Sequence, residues 1–235
     1  TAYEIKECDW SSDVCSSDLS GYVTKVINNV VLVNGQLTTL NVQLVPFNTL
    51  TATGHVINAV TGQPVPNATV NIVGPTSNDV VNANANGDFA IPAFAPDVYS
   101  VDAAAWGYQT YCADNVSINT ATLPLTISLQ PAIYDDFTFD LGWTISGISA
   151  NTWERGVPVA TTLNGATCNP GLDVTTDCRD KCYVTDNGGG QPGANDVDNG
   201  NTILTSPVFD ETQFLNPHIK YYRWFYNGGG TGTPN

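Results

Sequence analysis

Residues 53–74 read TGHVINAVTGQPVPNATVNIVG, and residues 86–108 read NGDFAIPAFAPDVYSVDAAAWGY. The first stretch alternates through HVINAV, breaks at Thr61, Gly62, Pro64 and Pro66, then resumes with Ala68, Val70 and Ile72 on one side of ATVNIVG. Period 2 punctuated by Gly and Pro is the mark of half-buried strands joined by tight turns, because successive strand side chains point to opposite faces. Asn86-Gly87 ahead of Asp88 adds a hairpin signal, since that dipeptide readily takes the positive φ of a two-residue turn. No 3.6-residue stripe is visible, and short alternating runs recur about every ten residues, so the expectation is an all-β sandwich.

Working outward, an internal repeat appears. Gly21-Tyr22, Asn29-Val30 and a run ending at Pro46 recur as Gly107-Tyr108, Asn115-Val116 and LPLTISLQP ending at Pro131, an offset of 85 to 86 residues. That period is a whole small β-domain. Residues 20–47 therefore read as the last strands of a preceding copy, residues 48–132 as one full copy, and the chain is expected to continue beyond its first residue. The absence of Met points the same way, toward an internal piece of a longer product.

The pattern G-x-V-x-x-x-x-T-G-x-P-V-P-x-A-x-V from Gly54 to Val70, followed by N-G-x-F and A-x-G-Y, resembles the carboxypeptidase regulatory-like domain. That resemblance implies a transthyretin-like Greek-key sandwich of about seven strands. It marks a fold and not an activity, because the fold serves as a spacer or binding module beside many enzymes and receptors.

From Ile133 the composition shifts to aromatics and clustered acids. The ordered blocks DDFTFDLGWTISG, NTWERGVP, CYVTDN, NDVDNGNTILTSPVFD and HIKYYRWFY resemble a MAM-like or jelly-roll domain of secreted bacterial peptidases. Phe137, Phe139, Trp143 and Ile145 are expected to alternate inward. Ile219, Tyr221, Arg223 and Phe225 would share one face of a later strand and Tyr222, Trp224 and Tyr226 the other, a strand covered on both sides. Residues 133–235 are thus expected to form a jelly-roll that lacks its last strands. The fold class is all-β, tandem sandwiches.

Residues 1–19, TAYEIKECDWSSDVCSSDL, have neither period. They resemble the conceptual translation of a short-read sequencing-library adapter, the alternative being a natural acidic linker, and are expected to be disordered and to pack against nothing.

Twenty-two Asp and Glu against seven Lys and Arg give a net charge of −15, which repels phosphate backbones and anionic lipid heads, so nucleic acid and membrane are excluded as partners. Catalytic constellations are also missing. His55 and His218 belong to different domains and neither opens H-x-x-E, and there is no G-x-S-x-G elbow or phosphate loop. Both histidines read as strand-edge residues.

The acidic and amide-rich stretch from Asp186 to Gly200 suits calcium, which takes six to eight hard oxygen ligands in flexible geometry. By resemblance to jelly-roll modules with one structural calcium, Asp135 or Asp136 would be brought toward this loop, giving Asp136, Asp186, Asp196 and Asp198 as the expected set; the competing reading is a solvent-exposed Asp-Asn-Gly turn. Trp106, Tyr108 and Tyr111 could present faces to a sugar or could pack across the sandwich end. Glu154 and Arg155 read as an ion pair bracing a loop. Among Cys112, Cys168, Cys178 and Cys182, a Cys168–Cys178 disulfide is expected in an extracellular domain, with Cys182 a buried thiol.

The functional expectation is a set of non-catalytic accessory modules in a secreted or surface bacterial hydrolase. The catalytic partner would lie upstream in the same chain, and the resemblance implies a zinc carboxypeptidase. The alternatives are a carbohydrate-binding module facing a sugar or cell-surface polymer, and a structural adhesin stalk.

Overall fold

The computed structural model describes residues 7–8, 15–17, 22–23, 25–31, 35, 39–46, 48–149, 152–174, 177–194, 197, 200–212 and 215–226. It is all-β. Between residues 50 and 129 seven strands form two facing sheets: β4 (Leu50–Asn58), β5 (Thr69–Val73), β6 (Asn78–Asn82), β7 (Asp88–Phe94), β8 (Asp97–Ala104), β9 (Tyr111–Ile118) and β10 (Leu125–Leu129). Sheet order is β10-β4-β7 on one side and β6-β5-β8-β9 on the other. β10 runs parallel to β4, while every other pairing in the two sheets is antiparallel.

Alternation builds the core. Ala52 and Val56 of β4, Val70 and Ile72 of β5, Phe89, Ile91 and Phe94 of β7, Tyr99, Val101 and Ala103 of β8, and Ile127 and Leu129 of β10 enclose one apolar cluster. Ala68, Val70 and Ile72 share the buried face anticipated from ATVNIVG, each with no exposed surface. Tyr99 carries a polar atom into this core and satisfies it: its hydroxyl donates to the Ala95 carbonyl at 2.6 Å, and its ring lies 4.7 Å from that of Phe94.

The Asn86-Gly87 turn is present but is not a hairpin. Gly87 has φ 76° and its N–H donates to the Asn84 carbonyl at 3.0 Å, yet β6 and β7 lie in different sheets, so the turn carries the chain across the core. Turn chemistry sets local geometry, whereas strand partnership is decided by which apolar faces meet.

Ahead of the sandwich, β1 (Glu7–Cys8), β2 (Cys15–Ser17) and β3 (Lys25–Ile27) form a small antiparallel sheet. This corrects the expectation that residues 1–19 enter no element: backbone pairing needs no shared apolar face. Residues 22–46 and 108–131 share two local features. Tyr22 bridges Pro46 as Tyr108 bridges Pro131, and Asn29 and Asn115 both take positive φ, at 61° and 59°.

After the sandwich come β11 (Thr144–Gly147), β12 (Trp153–Gly156), β13 (Thr161–Leu163), β14 (Ala166–Asn169), β15 (Cys182–Thr185) and β16 (Thr202–Thr205). Their pairing is nested: β11 with β16, β12 with β15, β13 with β14, all antiparallel. Two expectations for this region are corrected. Residues 135–143 turn instead of extending, because the Asp135 and Asp136 side chains accept the N–H groups of Phe137 and Thr138. Asp136 and Thr138 are buried as a result, and Ile145 is 43% exposed. Residues 217–226 join no sheet among the described residues, and Tyr221, Tyr222, Trp224 and Phe225 are each more than 60% exposed. The Trp224 indole is held at one point, donating to the Cys168 carbonyl at 2.5 Å.

Candidate functional site

β8 is buried on both faces over residues 101–104. Val101 and Ala103 face the sandwich core, and Asp102 faces the other way, under the downstream region. Asp102 is opposite Cys112 of β9, and Asp114 follows two residues along that strand. Onto this patch comes the segment Cys178-Arg179. Cys178 forms a disulfide with Cys112 across a Cα separation of 6.0 Å. Arg179 grips Asp102 through Nε at 3.0 Å and Nη2 at 2.6 Å, and the same Nη2 reaches Asp114 at 2.9 Å.

A guanidinium fork matched to a carboxylate gives direction as well as charge. Hydrogen bonds from Arg179, and next from Ser100, hold the Asp114 carboxyl below its ordinary value, and the bond to Asp102 pushes the Arg179 guanidinium further up.

The expected Cys168–Cys178 disulfide is therefore corrected. Cys168 is buried on β14 and free, and Cys182 is also free. Cys112 was set aside as belonging to another domain; the packing of the two regions instead brings Cys178 to β9, across 66 residues. Burial, then Asp173 and Asp177, raise the Cys182 thiol to about 11.

Beside this clamp lies a seam of acids. Asp136 is only 3% exposed; its Oδ1 accepts from Thr110 Oγ1 at 2.9 Å and from the Thr138 N–H at 3.1 Å, and its Oδ2 is buried with no hydrogen-bond partner. Asp173 Oδ2 and Asp177 Oδ1 are buried without partners as well. Burial, followed by the charges of Asp173 and Asp136, lifts the Asp177 carboxyl to about 6, and burial with Asp136 and Asp180 raises that of Asp173. Tyr134 is pushed up to about 12 by burial and by Asp136, Asp177, Asp135 and Asp173. Asp173 and Asp177 went unremarked in the sequence; two acids around CNPGLDVTTDC carry no motif, and only the fold sets them beside Asp136.

Of the expected calcium set, Asp196 and Asp198 lie outside the described residues. Asp186 follows β15 with φ 48°, its N–H donating to the Thr152 carbonyl, and no interaction joins it to Asp136 among the described residues. No group of three or more His, Cys, Asp or Glu side chains among the described residues is arranged to hold a metal ion.

Glu154 and Arg155 do not pair with each other, because neighbours on a strand point to opposite faces. Glu154 accepts the Asn187 N–H, while Arg155 Nη1 donates to the carbonyls of Phe137 and Thr138 at 3.0 and 3.1 Å, fixing the turn that presents Asp136. His55 lies on the central strand β4, not at an edge, and pairs outward with Asp88. His218 is exposed on the extended segment. Trp106 is a second bridge between the regions: its indole donates to the Val208 carbonyl at 3.3 Å and its ring lies 5.1 Å from Phe209. A cleft of about 500 Å³ opens beside it, lined in part by Asn67, Thr69, Trp106, Tyr108 and Asp140.

Residues 51–130 match the family model of the carboxypeptidase regulatory-like domain, and they form a β-sandwich domain related to that non-catalytic family. Among solved structures the chain is similar to a Streptococcal ancillary pilin, at 16% identity and a TM-score of 0.39, over 50% of this chain and 40% of that one. It is also similar to a chain of a type II cohesin–X-dockerin complex from Acetivibrio cellulolyticus, at 28% identity and a TM-score of 0.23, over 34% of this chain and 51% of that one. The chain thus spans about half or less of either. No curated protein matches it.

Proposed function

We propose that this chain is a non-catalytic accessory segment of a secreted or cell-surface multidomain protein, acting as a stiff two-part spacer of the adhesin-stalk kind. The observation that carries the reading is the clamp between residues 102–114 and 178–179: one disulfide and one forked ion pair join the sandwich to the region after it. Closing a loop of 66 residues stabilises by about 4 kcal/mol in the chain-entropy model. Disulfides persist in oxidising compartments, which supports an extracellular location. The family match supports an accessory role for the sandwich, with which an upstream catalytic partner in the same chain is compatible. A zinc-carboxypeptidase parent draws its support from the family's description alone.

At the level of fold, the sandwich is read as transthyretin-like Greek-key. Residues 133–235 are read as a MAM-like jelly-roll, a reading supported by the nested pairing of β11 to β16. Residues 20–47 are read as the end of a preceding repeat.

The test is limited proteolysis of the whole chain, with and without a reductant. A spacer locked by the clamp resists cleavage at residues 130–135 until Cys112–Cys178 is reduced; equal cleavage in both conditions counts against it. A second reading, carbohydrate binding, is favoured by the cleft whose lining includes Trp106 and Tyr108 together with Asn67, Thr69 and Asp140. Retention on insoluble polysaccharides, lost in Trp106→Ala, would establish it.

A further inference from the structure

Three Asn-Gly pairs lie wholly among the described residues: Asn86-Gly87, Asn164-Gly165 and Asn187-Gly188. Asn is a chemically labile residue, and most so before Gly, whose missing side chain leaves the backbone N unhindered to close on the Asn carboxamide carbon. Closure needs a Gly N–H with no other bond and an Asn side chain free to swing. The fold grants these unequally. The Gly87 N–H is spent on the Asn84 carbonyl at 3.0 Å, and its Cα is packed so closely that an added Cβ would stand 2.5 Å from the Val56 carbonyl oxygen. Asn187 is held at both ends of its carboxamide: Oδ1 accepts the Val159 N–H at 2.8 Å and Nδ2 donates to the Val157 carbonyl at 2.7 Å. Its own N–H donates to Glu154. Asn164-Gly165 is different. It is the two-residue turn between β13 and β14, which pair at Leu163 and Ala166, with φ values of 51° and 82°. Both residues are exposed, and a Cβ on Gly165 would meet nothing within 4 Å. Neither the Asn164 carboxamide nor the Gly165 N–H is hydrogen-bonded among the described residues. β13 and β14 are three and four residues long, form a two-stranded sheet and slip register at Thr161, so this tip opens at little cost.

We propose that Asn164-Gly165 is a self-modification site, at which Asn164 is converted to aspartate and isoaspartate with water as the only co-reactant. A bond forms from the Gly165 N to Asn164 Cγ as the Cγ–Nδ2 bond breaks, and the Gly165 amide proton leaves with Nδ2 as ammonia. Water then opens the resulting five-membered succinimide at either carbonyl. Nothing is oxidised or reduced, and the chain gains one negative charge. The isoaspartyl product routes the main chain through the side-chain carbon, adding an atom to a turn that two residues span, so the pairing of Leu163 with Ala166 has to adjust. Because no enzyme or cofactor takes part, the modified fraction records the age of the folded protein.

The whole chain is incubated folded and, in parallel, denatured, at one mildly alkaline pH and one temperature. Peptide mapping by mass follows the exchange of amide for carboxyl at each Asn, and enzymatic methylation of isoaspartyl carboxyls gives a second readout. In the folded chain Asn164 is expected to react about tenfold faster than Asn86 or Asn187, or more, whereas in the denatured chain the three rates converge to within about threefold. Gly165→Ala should slow Asn164 by about tenfold and leave Asn86 unchanged, because a Cβ beside the attacking N hinders closure. That variant also strains a turn with φ 82°, so its rate is compared in the denatured chain as well, where no turn exists. Asn86 or Asn187 reacting as fast as Asn164 in the folded chain overturns the proposal. So does an Asn164 that stays intact in the folded chain over the time that consumes it in the denatured one, or a rate that Gly165→Ala leaves unaltered in both.

Discussion

A Cβ placed on Gly54 would overlap the Phe89 ring of β7 and crowd the Leu125 carbonyl of β10, both within the core. Gly54→Ala should therefore destabilise the sandwich by about 1–3 kcal/mol, the usual cost of overpacking, read from a denaturant midpoint with unchanged slope. Arg179→Ala leaves Asp102 buried without its partner, and breaking such a pair costs about 3 kcal/mol or more. Asp114 adds a pH dependence of definite sign. Its folded carboxyl is held below its ordinary value of 3.8, so its contribution is present above that pH and is lost as pH falls through the lower folded value. Acid unfolding of Asp114→Asn should lack that contribution, and identical acid limbs for the two proteins would refute the assignment. The free thiols give a further check. Cys168 is buried and Cys182 is raised to about 11, so both should resist alkylation near neutral pH until the chain is denatured.

Elements differ in how they are held, and hydrogen exchange should report it. Amides of β4 and β8, each paired on both sides, should exchange slowest, whereas residues 217–226, outside every described sheet, should exchange within seconds. Comparable protection of both would contradict the arrangement. The same contrast explains what was legible in the sequence. Strands of the sandwich announced themselves because Ala68, Val70, Ile72 and their partners bury one face, and a one-sided core writes itself as period 2. The Asn86-Gly87 turn was visible as a turn, but not as a crossing between sheets, because local chemistry carries no information on which strands pair. Residues 135–143 misled for a related reason: alternating aromatics fit a strand, but Asp135 and Asp136 divert the backbone by capping N–H groups two residues on. The acid seam and the clamp were illegible in outline, since Asp102, Cys112, Asp136, Asp173 and Cys178 are brought together by pairing across long separations. Of them Asp136 and Cys178 were singled out, each with other partners.

At the scale of the molecule, the sandwich and the region after it are tied, among the described residues, by Cys112 to Cys178, Asp102 and Asp114 to Arg179, Thr110 to Asp136, and Trp106 to Val208 and Phe209. Linked domains normally move relative to one another, because their interfaces are modest. A covalent bond reinforced by an ion pair whose Asp102 carboxylate is buried removes that freedom, which is what a spacer in a surface protein requires. Stretching the whole chain between its ends by single-molecule force spectroscopy tests this most directly. Under oxidising conditions the account predicts that residues between 112 and 178 stay out of the extension. Adding a reductant should then lengthen the unfolded chain by roughly 220 Å, the contour of 66 residues at about 3.5 Å each less the native 6.0 Å span. Equal contour lengths with and without reductant would contradict it.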